Sequence, residues 1–128
     1  LFAILNADAT LGAMIPGGIH RRRIQEDSEL PALVFTKERA PRSHTLKSLV
    51  MIRLEYLIRA VDEKLDEADA AAIIDRVDTL LEDVELAVPG YSTGFNRRID
   101  DFELIENDNA GHVYQHLGER RRFDLMKS

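Results

Sequence analysis

Ser48-Leu49-Val50-Met51-Ile52-Arg53-Leu54-Glu55-Tyr56-Leu57-Ile58-Arg59 reads as one long strand, and the acidic run that follows it, Glu67 to Glu85, reads as a helix. In the first stretch Val50, Ile52, Leu54, Tyr56 and Ile58 fall on one side, the two-residue period of a pleated strand. In the second, Ile73, Ile74, Val77, Leu80, Leu81 and Val84 form a single stripe at 3.6-residue spacing. A helix laid across the face of a sheet buries both sets at once. The expected fold class is therefore α+β: an antiparallel sheet with a long helix packed on one face, an N-terminal helix and a long C-terminal β-hairpin.

Towards the N-terminus, Leu1 to Met14 reads as one amphipathic helix with Leu1, Leu5, Leu11 and Met14 on one side, ended by Pro16-Gly17-Gly18. Ile19 to Ile24 is a short, polar, edge-like strand or an extended loop. Pro31 stands at the first residue of a strand over Ala32 to Thr36, and Lys37 to Thr45, with Pro41, reads as a mobile loop. Beyond the helix, Pro89 to Gly94 is a turn-rich breaker. Phe95 to Glu106 and Val113 to Met126 read as paired strands around a turn at Asn107 to Gly111, with Gly118 as the place for a kink. Strands of that length exceed the usual five or six residues. Such a hairpin is expected to project from its domain and to be free to pair with a neighbour.

The 128 residues suit a single domain spanning 1–128. With no cysteine there is no disulfide framework and no thiolate ligand or nucleophile. No apolar stretch approaches the roughly 20 residues that span a bilayer, so no membrane partner is expected. The chain starts at Leu1 rather than Met, and nothing near that end resembles a signal peptide.

The net charge of −6 is unevenly spread. Between Asp62 and Glu85 ten acids (Asp62, Glu63, Asp66, Glu67, Asp69, Asp75, Asp78, Glu82, Asp83, Glu85) face only Lys64 and Arg76, a local charge of −8 that leaves +2 for the rest. Glu82, Asp83 and Glu85 oppose the negative end of the helix dipole. Arginines cluster at 21–23, 97–98 and 120–122. A nucleic-acid binder normally shows a basic face. Segregated charge more often serves docking against complementary surfaces, where it steers encounter and fixes register. A solvated helix face with scattered surface arginines is the plainer alternative. Asp75, Asp78 and Glu82 on the helix, with Arg97, Arg98, Arg120, Arg121 and Arg122 on the hairpin, are the candidate subunit or partner interface.

Chemistry is hard to find. His112 and His116 on a strand are about 13 Å apart, too far to share a zinc ion. Asn107 to Gly111 fails the calcium-loop pattern, whose twelfth position counted from Glu106 is Leu117 rather than an acid. Gly90 and Gly94 precede no Gly-Lys-Ser/Thr, and Ser92 and Ser43-His44 lack a triad context. Asp100-Asp101 is unremarkable in so acidic a chain. No catalytic residue, cofactor or metal site is expected, and the chain reads as a non-enzyme.

Taken in order, these features resemble the tail terminator (tail-completion) proteins of long-tailed bacteriophages. The resemblance rests on Ala7-Asp8-Ala9-Thr10-Leu11, Gly18-Ile19-His20, Leu30-Pro31-Ala32-Leu33-Val34-Phe35, the strand 50–58, Glu67-Ala68-Asp69-Ala70-Ala71 and Arg121-Arg122-Phe123-Asp124-Leu125. It implies a virion structural and assembly protein that forms a homo-oligomeric ring, usually hexameric. The ring would cap the tail tube protein's polymer, stop its growth and join the tail to the head connector or stopper protein, with DNA met only in passage through the channel. A connector, a stopper, a cytosolic non-enzymatic adaptor and a nucleic-acid binder are the competing readings.

Overall fold

The computed structural model describes residues 1–24, 29–39, 42–44, 49–63, 67–82, 84–86, 88–107 and 111–127. The alternating run becomes a strand over Leu49–Asp62, continuing three residues past Arg59. The acidic run becomes a helix over Glu67–Leu81. In chain order the elements are α1 (Phe2–Asn6), α2 (Ala9–Met14), β1 (Ile19–Arg21), β2 (Ala32–Arg39), β3 (Arg42–His44), β4 (Leu49–Asp62), α3 (Glu67–Leu81), β5 (Tyr91–Asn107) and β6 (Val113–Lys127).

They build a six-stranded sheet in the order β1-β2-β4-β6-β5, with β3 also on β4. Only β1 and β2 run parallel. The rest of the sheet is antiparallel. α3 lies on one face. Ala70, Ile73, Ile74, Val77 and Leu81 are buried there against Leu33, Phe35, Ile58 and Ala60, and Leu5, Leu11 and Ile15 of the N-terminal segment complete the core. A smaller cluster of Leu54, Leu86, Phe123 and Leu125 extends it along β6. Of the strand residues assigned to this side, Leu54 and Ile58 are buried and Ile52 and Tyr56 half-buried, while the side chain of Val50 lies outside the described residues.

The N-terminal segment is two short helices rather than one. Asp8 adopts extended backbone and caps α2, its carboxylate accepting the Leu11 N–H at 2.7 Å. An aspartate that can satisfy the next helix start interrupts the one before it. Arg76 of α3 then grips the same carboxylate at 2.7 Å. The segment read as a loop is largely strand: β2 continues to Arg39 and β3 covers 42–44, both pairing with β4. Backbone pairing along β4 does not depend on polar side chains. Pro41, which lacks an N–H, lies outside the described residues with residues 40 and 45.

α3 stops at Leu81, four residues before Glu85, because Asn96 of β5 donates its side-chain amide to the Leu81 and Val84 carbonyls. Glu82 thus follows the last helical residue, Glu85 is clear of the helix, and Asp83 is outside the described residues. The breaker ends at Gly90, whose φ of +81° makes the turn, so Tyr91–Gly94 belong to β5. β6 carries no kink: its register against β4 is unbroken from Gln115 to Met126. A Cβ at Gly118 would sit 2.0 Å from the Ile58 carbonyl oxygen, so glycine there permits close strand approach. The irregularities fall instead in β5, beside Gly94 and Ile99. The hairpin does not project as a whole. β6 is held between β4 and β5 up to Gln115, leaving only the tip beyond β4, and the unpaired row is the outer edge of β5.

Candidate interaction surfaces

β6 sorts the triple arginine by strand period. Glu119, Arg121 and Phe123 face α3, whereas Arg120 and Arg122 point to the helix-free face. Arg98 stands opposite Arg121 on β5. α3 crosses above this pair with Asp78 directed down, so that Arg98 meets Asp78 at 2.6 Å and Arg121 meets it at 2.7 Å. Arg98 also holds Asp101, and Arg121 donates to the Asn96 side-chain oxygen at 2.6 Å. Asp78, Arg98 and Arg121 are thus brought together inside one chain, tying α3 to the hairpin.

Glu119, which is wholly buried, completes the cluster. Its oxygens lie 3.2 Å from Arg98 and 3.7 Å from Arg121, without a well-aligned hydrogen bond from either. Burial, and then the neighbouring Asp78 carboxylate, push its pKa up to about 8. Asp78 moves the other way: burial opposes its ionisation, but the neighbouring Glu119 carboxyl and the hydrogen bonds from Arg121 and Arg98 outweigh that and lower its pKa. At neutral pH a protonated Glu119 leaves two guanidiniums facing the ionised Asp78 and Asp101, a balanced set. Neither Glu119 nor Asn96 stood out in the sequence. The available signal was position 119 sharing its strand face with 121 and 123.

On the helix-free face Arg120 bridges Glu38 at 3.1 Å and Asp100 at 3.3 Å, its guanidinium over the Phe102 ring. Arg122 lies 4.2 Å from the Phe95 ring centroid and 3.7 Å from Asp124, which Arg53 holds at 2.9 Å. Arg97 is exposed, also stacked on Phe95, and makes no ion pair among the described residues. Asp75 is exposed on α3 at the rim of the groove it forms with β5, and Glu82 is exposed just past the end of that helix. The eight candidate residues therefore fall into three places: the internal cluster, the arginine–aromatic sheet face, and the exposed acids on and just after α3.

His116 is buried, with Nε2 3.4 Å from Glu106. Burial first, and then Arg59, lower its pKa. His112 stacks near Tyr114 instead. Among the described residues no group of three His, Cys, Asp or Glu is placed to hold a metal ion, and no helix is long and apolar enough to cross a membrane. Two shallow hollows, about 170 Å³ and 410 Å³, adjoin in the groove between α3 and the outer half of β5.

A solved chain from the virion of a native gene transfer agent (GTA) particle superposes on this fold with a TM-score of 0.72. The match covers 96% of this chain and 90% of that one at 15% identity, a likeness of fold. No curated protein matches the chain. The family model described as tail completion protein gp17 matches residues 1–117. The chain belongs to that tail completion family, and is a structural protein of the bacteriophage tail.

Proposed function

We propose that this protein forms a hexameric ring on the end of the tail tube, stops tube polymerisation and presents the surface to which the head connector or stopper protein binds. The observation that carries the ring is the asymmetry of the sheet. It ends in the three-residue β1 on one side and in the 17-residue β5 on the other. Two unlike ends favour a head-to-tail contact between copies, and such contacts close into rings when the rotation allows. The fold shared with a gene transfer agent virion chain supports a place in the particle, at the tail or neck.

Asp75, Glu82, Arg97, Arg120 and Arg122, exposed or half-exposed, are the candidate residues that face another copy, the tube or the connector. Asp78, Arg98 and Arg121 serve the fold that presents them. Particles assembled without this chain should carry tails of uncontrolled length that fail to join heads, and adding the purified chain to growing tubes should fix their length. Tubes of normal length in its absence, with heads still unjoined, would point to a connector or stopper instead. Normal, joined particles would overturn the proposal.

A further inference from the structure

The two ends of the sheet carry opposite unspent charge, and we infer that they dock on each other in neighbouring copies. The basic turn Arg21–Arg23 of one copy seats in the acidic groove between α3 and β5 of the next. This rests on the ring reading above and supplies its contact.

The groove lies beside the open edge of the sheet. Its walls carry the exposed carboxylates of Asp75, Asp101 and Glu103 over an apolar floor of Ile74 and Leu117. Among the described residues Arg98 is the one cation lining it, and Arg98 is already held by Asp78 and Asp101. Asp75 and Glu103 make no ion pair among the described residues. Ile105, 59% exposed, extends the apolar wall towards the hairpin tip. The hollow is thus shaped and charged for a cationic segment with an aliphatic stem, which is what an arginine side chain offers.

The opposite edge provides one. The backbone of Arg22 is fixed by its N–H to the Phe35 carbonyl at 3.0 Å and by Arg59 donating to its own carbonyl at 3.4 Å. Its φ of 67° turns the chain away from β2. Arg22 and Arg23 are exposed and make no ion pair among the described residues, and exposed Lys37 adds to the same basic corner. Arg21 is engaged elsewhere, over the Phe2 and Phe35 rings. Five strands in line separate the two edges by about 19 Å. Arg22 and Arg23 cannot reach the groove of their own chain, and a second copy meets it without any change of fold.

The test is a charge swap read by assembly. Arg22→Glu with Arg23→Glu, and separately Asp75→Lys with Glu103→Lys, should each raise the protein concentration for half-assembly by at least about tenfold. The four substitutions combined should return it to within about threefold of the parent chain. Assembly is followed by sedimentation and negative-stain imaging of the purified chain, alone and on purified tail tubes. Unchanged melting of each variant confirms that the fold is intact. Reversals without effect, no recovery on combination, or assembly that stops at two copies would overturn the docking while leaving other ring contacts open. No ring from the parent chain, even on tubes, would overturn the ring reading and the docking with it.

Discussion

Glu119 decides how the cluster under α3 responds to pH. An acid whose pKa is raised in the folded state binds a proton there that the unfolded chain gives up. Its contribution to stability is full below about 4.5 and is lost as pH rises towards 8. His116 slopes the other way, because its lowered pKa favours the folded state above its ordinary value of 6.5. Comparing Glu119→Gln with the parent chain separates the two. The variant should match it near pH 5 and gain on it by about 1 kcal/mol or more by pH 8.5, read from thermal midpoints across that range. A constant difference between the two chains would show that Glu119 does not titrate there. The neighbouring arginines make a second comparison. Arg121→Met removes a buried guanidinium from Asp78 and Glu119 and should cost about 3–5 kcal/mol in urea unfolding. Arg122→Met, on the helix-free face, should cost less than about 1 kcal/mol. The division of 120–122 between two faces follows from strand period alone and was legible in the sequence. That Asp78 lies over Arg98 and Arg121 was not, since it depends on where α3 crosses the sheet, and no local pattern encodes that.

Element by element, the strongly periodic segments were the legible ones. β4 and α3 announce themselves by spacing: Leu54 and Ile58 on the strand and Ile73, Ile74, Val77 and Leu81 on the helix are buried where it puts them, whereas Ile52, Tyr56 and Leu80 are half-buried and Val84 lies past the end of the helix. Boundaries were decided by single groups acting from afar. Asn96 closes α3 from β5, and Asp8 divides α1 from α2 with Arg76 holding it from α3. The strand over Ala32 to Thr36 was read, but its extension to Arg39 and the whole of β3 escaped because their polar residues look like a loop, while their pairing is supplied by the backbone of β4. Glycine shows the same split between local and distant causes. Gly118 sits mid-strand, where a kink was expected, yet its reason is the neighbouring strand: a Cβ there would meet the Ile58 carbonyl oxygen at 2.0 Å and the Arg59 Cα at 2.6 Å. Gly118→Ala should therefore destabilise by about 3 kcal/mol by forcing β4 and β6 apart. Gly12, on α2 with nothing within 4 Å of a built Cβ, should do the opposite. Gly12→Ala should stabilise by roughly 0.5–1 kcal/mol through helix propensity. Parallel urea titrations of the two variants check both signs at once.

Across the molecule, stability runs from the middle of the sheet outwards. β6 is bonded on both sides, and β4 has β2 and β3 on one side and β6 on the other, with α3 sealing the core above them. β5 is bonded on one side only, and two register shifts interrupt it, the usual device that keeps an edge from pairing at random. Its last regular stretch, Asp100–Asn107, carries Leu104 and Ile105 exposed. Composition could indicate that charge is segregated, but only topology places the acidic groove and the basic turn on opposite edges. Amide hydrogen exchange should follow this gradient. In the dilute subunit the outward amides of Asp100–Asn107 should exchange orders of magnitude faster than those of β6, whose opening requires global unfolding. Assembly then gives two separable outcomes. Docking of the basic turn into the groove should slow exchange around Arg22 and Arg23 and along the groove-facing part of α3, with the outward β5 amides still fast. Strand addition by a tube subunit should slow those outward amides in alternation along the edge, because every second N–H of an edge strand points to the new partner. A chain that forms a ring and also seats on a tube should show the first pattern in free rings and both patterns on capped tubes.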